Sequence, residues 1–119
     1  MNDQPLGSRL ENVHRGSGGV WVHDLLHPRS LEPFSAALWC ELEPGAKVGR
    51  HRQQRDPELI ICVSGQGEIE VDKVSAPFTR GVTTLLPHGS TLALCNPGTE
   101  PLVYLIIKAH CGVHRNQAG

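Results

Sequence analysis

The sequence predicts an all-β domain, a barrel or sandwich of short strands. Three observations lead there. The 119 residues include 13 Gly and 9 Pro, which recur as turn punctuation. Between them lie short runs rich in Val, Ile, Leu and Trp at fairly regular spacing. No long stretch shows the 3.6-residue apolar period of an amphipathic helix. A chain of this length builds one core rather than two.

Residues 1–18 are polar and contain Gly and Ser, and are expected to form a loose arm. A barrel is expected over 19–111 and a polar tail over 112–119. The first strand is 19–23. Residues 25–32 contain His27-Pro28 and read as a connection. A second strand, 34–43, stops at the turn dipeptide Pro44-Gly45. A third runs over 47–53. Pro57 suits the first position of a fourth, 58–64, where a missing N–H matters least. In that strand Glu58, Ile60 and Cys62 share one face, and Leu59, Ile61 and Val63 the other. Both faces are apolar beyond Glu58, so a second layer or a second subunit must cover the outer one. A homodimer is expected on this ground. Residues 68–72 alternate cleanly, with Ile69 and Val71 inward. Residues 73–80, with Pro77 at their centre, read as a loop. Further strands are expected at 82–86, 91–96 and 101–110.

Charge and cysteine usage narrow the function classes. Eleven Lys+Arg against twelve Asp+Glu leave a formal charge of −1, so no global field recruits nucleic acid or an acidic membrane. Lys47, Arg50, Arg52 and Arg55 form a local basic cluster, interrupted by Asp56 and Glu58. It reads as a solvated rim, with an anionic ligand as the alternative. Cys40, Cys62, Cys95 and Cys111 form no CxxC, and the first three sit in strand patterns as small hydrophobes. The polar N-terminus has no apolar signal core, and the longest apolar run, 102–107, is too short to span a bilayer. A reduced, cytoplasmic protein is expected.

The candidate site lies in the stretch 45–65. His51 and Gln53 are two apart, so on a strand they project to the same side. Glu58 opens the next strand. An imidazole, a carboxamide and a carboxylate converging there suit a divalent metal, a substrate, or both. Further candidates for substrate contact are Trp39, as pocket wall, and His88, in a turn between strands. Tyr104 and Lys108 join them if their face of the last strand lines the barrel. Trp21 also reads as core or pocket wall, while His14, His23, His27 and His114 read as surface or loop residues.

The spacing of these residues resembles the cupin family, small barrels built on a double-stranded β-helix with a jelly-roll-like wall. Gly45, then five residues, His51, Arg52, Gln53, then Glu58 and, six residues later, Gly65 match the family's first motif with Gln53 in place of its second His. Gly81, then Pro87, His88, Gly89, Leu92 and Asn96 match the second motif with Leu92 in place of its His. Metal-binding cupins offer three His and one Glu, and only His51 and Glu58 stand unchanged here. The resemblance therefore implies one divalent ion (Fe, Mn, Ni or Zn) on His51, Gln53 and Glu58, or none, with the same groups binding an organic substrate directly.

A small-molecule enzyme of isomerase- or cyclase-like proton-transfer type is the favoured expectation. A carboxyl desolvated inside an apolar barrel suits general acid or base work, with His51 as its partner. A metal-dependent dioxygenase and a non-catalytic ligand-binding domain are the alternatives. Fold does not decide among them.

Overall fold

The computed structural model describes residues 4–53 and 55–110. Among them, ten antiparallel strands form two facing sheets. The strands are β1 (Ser8–Glu11), β2 (Gly19–Asp24), β3 (Phe34–Leu42), β4 (Lys47–Arg52), β5 (Glu58–Ser64), β6 (Gln66–Val71), β7 (Val74–Thr79), β8 (Thr83–Leu86), β9 (Thr91–Cys95) and β10 (Leu102–Ala109). One sheet has the order β1-β2-β3-β10-β5-β8 and the other β4-β9-β6-β7. Among the described residues no helix is long and apolar enough to cross a membrane.

Alternation decides what each strand buries. On β5, Ile60 and Cys62 point into the core; on β10, Leu102 and Tyr104 do; on β9, Leu92 and Leu94 do. Phe78 of β7 fills the space between the sheets. The intervening residues Trp39, Leu59, Ile61, Val63, Leu105 and Ile107 lie half-buried on the outer face of the larger sheet. Trp39, Leu105 and Ile61 are in register across three neighbouring strands there. The wholly apolar β5 read from the sequence thus belongs to an inner core and an outer apolar face.

Two segments differ from the sequence expectation. Residues 73–80 are not a loop: β7 pairs with β6, and a two-residue turn at Asp72 and Lys73, both with positive φ, joins them. Pro77 is tolerated because β7 is an edge strand, where one N–H has no ladder partner to lose. The N-terminal segment is not a free arm either. β1 pairs with β2, a tight turn at Val13–Arg15 follows, and Ser17 exchanges two backbone hydrogen bonds with Lys47 of β4 at 3.0 and 2.8 Å. The expected polar tail, residues 112–119, lies outside the described residues.

An ion pair ties β1 down. Arg9 donates from Nε and Nη2 to Glu43 at 2.6 and 2.8 Å, and Trp21 Nε1 donates to the same carboxylate at 3.1 Å. Arg9 first, and Trp21 after it, hold the Glu43 carboxyl down to about 2. A folded value below the ordinary 4.5 means the tie contributes fully above that pH and is lost as pH falls toward 2. Both side chains are about a third exposed, so the contribution is small. We expect β1 amide protons to lose exchange protection in that acid window while β5 and β10 stay protected. Amide exchange by NMR checks this, and loss of protection in all three strands together would contradict it.

Candidate functional site

A register shift aims the site's first residues. On β4, Val48 pairs with Leu94 and His51 with Leu92, so three steps on β4 match two on β9. The extra residue is a β-bulge, which reverses the side-chain phase. Val48 points inward before it; His51 and Gln53 point inward after it; Arg50 and Arg52 are exposed. Without the bulge His51 would face solvent.

The bulge also receives the N-terminal turn. His14 has φ of +53° and stacks its ring on His51, centroids 3.7 Å apart and planes 12° from parallel. Its imidazole is held below the usual histidine range, by desolvation first and then by the charges of His51 and Lys108. Gly49 makes the approach possible: a Cβ there would collide with the His14 carbonyl oxygen. A glycine inside a strand is the sequence sign of such a close backbone approach. Read that way, Gly49 would have pointed to a partner for β4, although not to His14 by name.

His51 Nδ1 lies 3.0 Å from the Gly49 carbonyl. A carbonyl only accepts, so Nδ1 carries a proton in this contact, and in the neutral imidazole the lone pair then sits on Nε2. Gln53 is 4% exposed, and its Nε2 has no hydrogen-bond partner among the described residues. Glu58, on β5, has a side chain 4% exposed. Its Oε2 lies 3.2 Å from Lys108 Nζ, and its Oε1 is unpartnered among the described residues. Lys108 is the direct cross-strand partner of Glu58 on β10. A buried carboxylate is costly without a counter-charge, and this ammonium supplies it. Each unpartnered buried group costs about 1–3 kcal/mol, so two at one site mark a place built for something else to bind.

An open cleft of about 640 Å³ lies over this end of the barrel, lined by His14, His51, Gln53, Arg55, Lys108 and His110 among others. On its rim Asp56 accepts a 2.6 Å hydrogen bond from Ser35 Oγ and lies 3.7 Å from His110 Nδ1. Deeper in the barrel, Tyr104 sits edge-on to Phe78 with centroids 6.2 Å apart. Burial pushes its phenol well above the usual range, with the charges of Cys40 and Glu58 adding to it. Burial, with Glu58 adding, pushes the Cys40 thiol up to about 12.

Of the residues singled out by sequence, His51, Gln53 and Lys108 line one cleft, and Glu58 joins them through its ion pair with Lys108. Tyr104 faces the same interior but is fully enclosed. Trp39 stands on the outer face, because its neighbour Cys40 points in; its Nε1 donates to Glu41 at 3.3 Å. His88 is exposed in the turn between β8 and β9 and is not among the lining of this cleft. His14 is the site residue that sequence reasoning placed on the surface.

The trio His51, Gln53 and Glu58 does not fit a resident divalent ion in this arrangement. Oε2 of Glu58 already faces a cation, the Lys108 ammonium. The residue opposite His51 is Leu92, which has no donor atom. No three His, Cys, Asp or Glu side chains gather at ligating spacing among the described residues.

Residues 38–108 match the family model described as "Cupin domain". A curated relative, the oxalate-binding protein of Thermotoga maritima, is 25% identical over 101 residues, which is 83% of each chain. A crystal structure of a predicted oxalate decarboxylase from Thermotoga maritima superposes with a TM-score of 0.79 at 22% identity, over 87% of this chain and 91% of that one. A putative sugar phosphate isomerase from Acidithiobacillus ferrooxidans superposes at 0.68 and 23% identity, over 78% of this chain and 60% of that one. At such identities the solved structures speak for the fold alone.

Proposed function

The chain belongs to the cupin family, and on that premise we propose that it is an enzyme moving a proton on a small organic molecule, of isomerase or cyclase type. The observation that carries the reading is the split environment of Glu58. One oxygen is paired with Lys108, which lines the cleft, and the other is buried and unpartnered among the described residues. A carboxylate held in this way takes a proton from an acidic C–H or O–H and returns it elsewhere, while Lys108 offsets the charge that develops. His51, with its Nε2 lone pair free, is the second proton-carrying group. Gln53 and Lys108 orient the substrate. No step needs a metal, and dioxygenation finds no support in this donor set.

The putative sugar phosphate isomerase and the predicted oxalate decarboxylase share the barrel, and the fold by itself favours neither chemistry. The relative named as a binding protein favours a second reading, ligand binding without turnover. Solvent-deuterium exchange separates the two. Small carbonyl compounds incubated with the protein in D2O are followed by NMR. Washout of a C–H signal supports the enzyme, while a ligand-dependent rise in Tm with no washout supports the binding protein.

The working unit is a homodimer. The outer apolar face around Ile61, Leu105 and Trp39 is too continuous to be left in water, and a second copy gives it a cover. Light scattering is expected to give about twice the 12.9 kDa chain mass. Ile61→Lys is expected to reduce it to the single-chain mass with the fold intact, and a monomeric wild type would end this part of the proposal. A reducing compartment such as the cytoplasm suits Cys40, Cys62 and Cys95, which are all free thiols.

A further inference from the structure

We propose that the cleft over Glu58 is an oxyanion site, with Lys108 as its fixed cation and Gln53 as its buried amide donor, and that its ligands are small hydroxylated carboxylates or phosphate esters. The proposal rests on the proton-transfer reading for what Glu58 then does to the ligand, and adds what the ligand is.

Three features of the cleft point to an oxyanion. An ammonium has three N–H donors, and Glu58 Oε2 occupies one of them. The Lys108 side chain is 37% exposed and lines the cleft, so its charge reaches a bound molecule. Gln53 Nε2, in a residue 4% exposed that also lines the cleft, needs an acceptor that the described residues do not provide. An oxyanion is acceptor-only and meets both demands. The permanently charged side chains around the cleft agree in sign: Arg52 and Arg55 join Lys108. The acid on that rim, Asp56, is already engaged by Ser35 and His110.

Glu58 Oε1 asks for the opposite partner. It is a buried acceptor without a donor. A ligand that carries a hydroxyl, or an acidic C–H, beside its oxyanion satisfies the donor and the acceptor in one molecule. An anion without a hydroxyl, such as chloride or sulfate, would leave Oε1 unsatisfied, and a neutral polyol would leave Lys108 without a counter-charge beyond Glu58. A resident metal is unnecessary here, because the chain carries its own cation.

The test uses the full chain, stripped of metal with a chelator and dialysed. NMR and calorimetric titrations compare glycolate with glycolamide, which keeps the hydroxyl and the size but loses the charge, and with inorganic phosphate. We expect glycolate or phosphate to bind about tenfold or more tightly than glycolamide. Preference for glycolate assigns the oxyanion to a carboxylate, and preference for phosphate assigns it to a phosphate ester. Glu58→Gln is expected to tighten anion binding several-fold, because Lys108 loses its internal competitor. Lys108→Met alone strands a buried carboxylate and threatens the fold, so the decisive variant is the double change Lys108→Met with Glu58→Gln. It removes both charges, and it is expected to abolish the preference for glycolate over glycolamide while circular dichroism stays that of the wild type. Equal binding of glycolate, phosphate and glycolamide to the wild type overturns the proposal, as does anion binding by the double variant equal to that of Glu58→Gln. Neither result depends on turnover, so failure of the exchange assay leaves the ligand assignment standing, and the reverse also holds.

Discussion

Glu58→Gln is expected to lower the rate of substrate proton exchange by about 10²- to 10⁴-fold, the usual contribution of a positioned general acid or base. The substitution is nearly isosteric. It keeps a polar group at the start of β5 and removes only the charge and the basicity. Lys108 then loses its partner, but its side chain is 37% exposed and water can solvate the ammonium. The cost to stability should therefore stay near about 1 kcal/mol, well below that of breaking a fully buried pair. Rate and stability are predicted to separate: a large loss of exchange with a Tm shift of a few degrees. His51→Asn, which removes Nε2 while leaving a donor for the Gly49 carbonyl, should reduce the rate less if Glu58 makes the first proton transfer. A Glu58→Gln protein that exchanges at the wild-type rate would exclude Glu58 from the chemistry, and the cleft would then have to be read as a binding site.

Much of this arrangement was readable in the amino-acid order, and the unread parts have physical causes. The strands from β2 through β6 and from β8 to β10 follow the turn glycines and prolines, because those residues mark where the chain reverses. His51 and Gln53 share a face because they are two apart beyond the bulge, on the end of β4 and the first residue after it, where the Gln53 N–H still donates to the Ser90 carbonyl. The Lys108–Glu58 pair was not legible. It depends on β10 lying beside β5, a pairing between residues 50 apart in sequence that no local pattern encodes. β7 was missed because Pro77 argues against a strand, and the exception for edge strands applies only once the sheet order is known. Trp39 was expected at the pocket because large aromatics are usually buried. Strand phase puts Cys40 inside instead, and Trp39 on the face assigned above to the dimer.

His14 is the most instructive of these cases, and Gly49 is the residue through which to test it. Gly49→Val is expected to detach the turn at Val13–Arg15 from β4. The new Cβ would occupy the place of the His14 carbonyl oxygen, a backbone atom fixed on either side by the Asn12–Gly18 and Ser17–Lys47 hydrogen bonds. Either the turn leaves or β4 shifts, and the bulge that aims His51 inward makes β4 the more constrained of the two. Overpacking of this kind costs about 1–3 kcal/mol. Asn12, His14 and Arg15 hold positive φ in the docked turn, so release is expected to relieve backbone strain and make the open form easier to populate. The expected signature is loss of the ring-current shift between the two imidazoles, new protease cuts within residues 12–18, and weaker ligand binding in a cleft that has lost one wall. His14→Ala is the companion variant. It removes the ring and leaves the backbone dock intact, so it should weaken binding without opening the segment to protease. If Gly49→Val keeps the stacked pair and the wild-type Tm, the close approach of the two backbones is not what holds this wall in place.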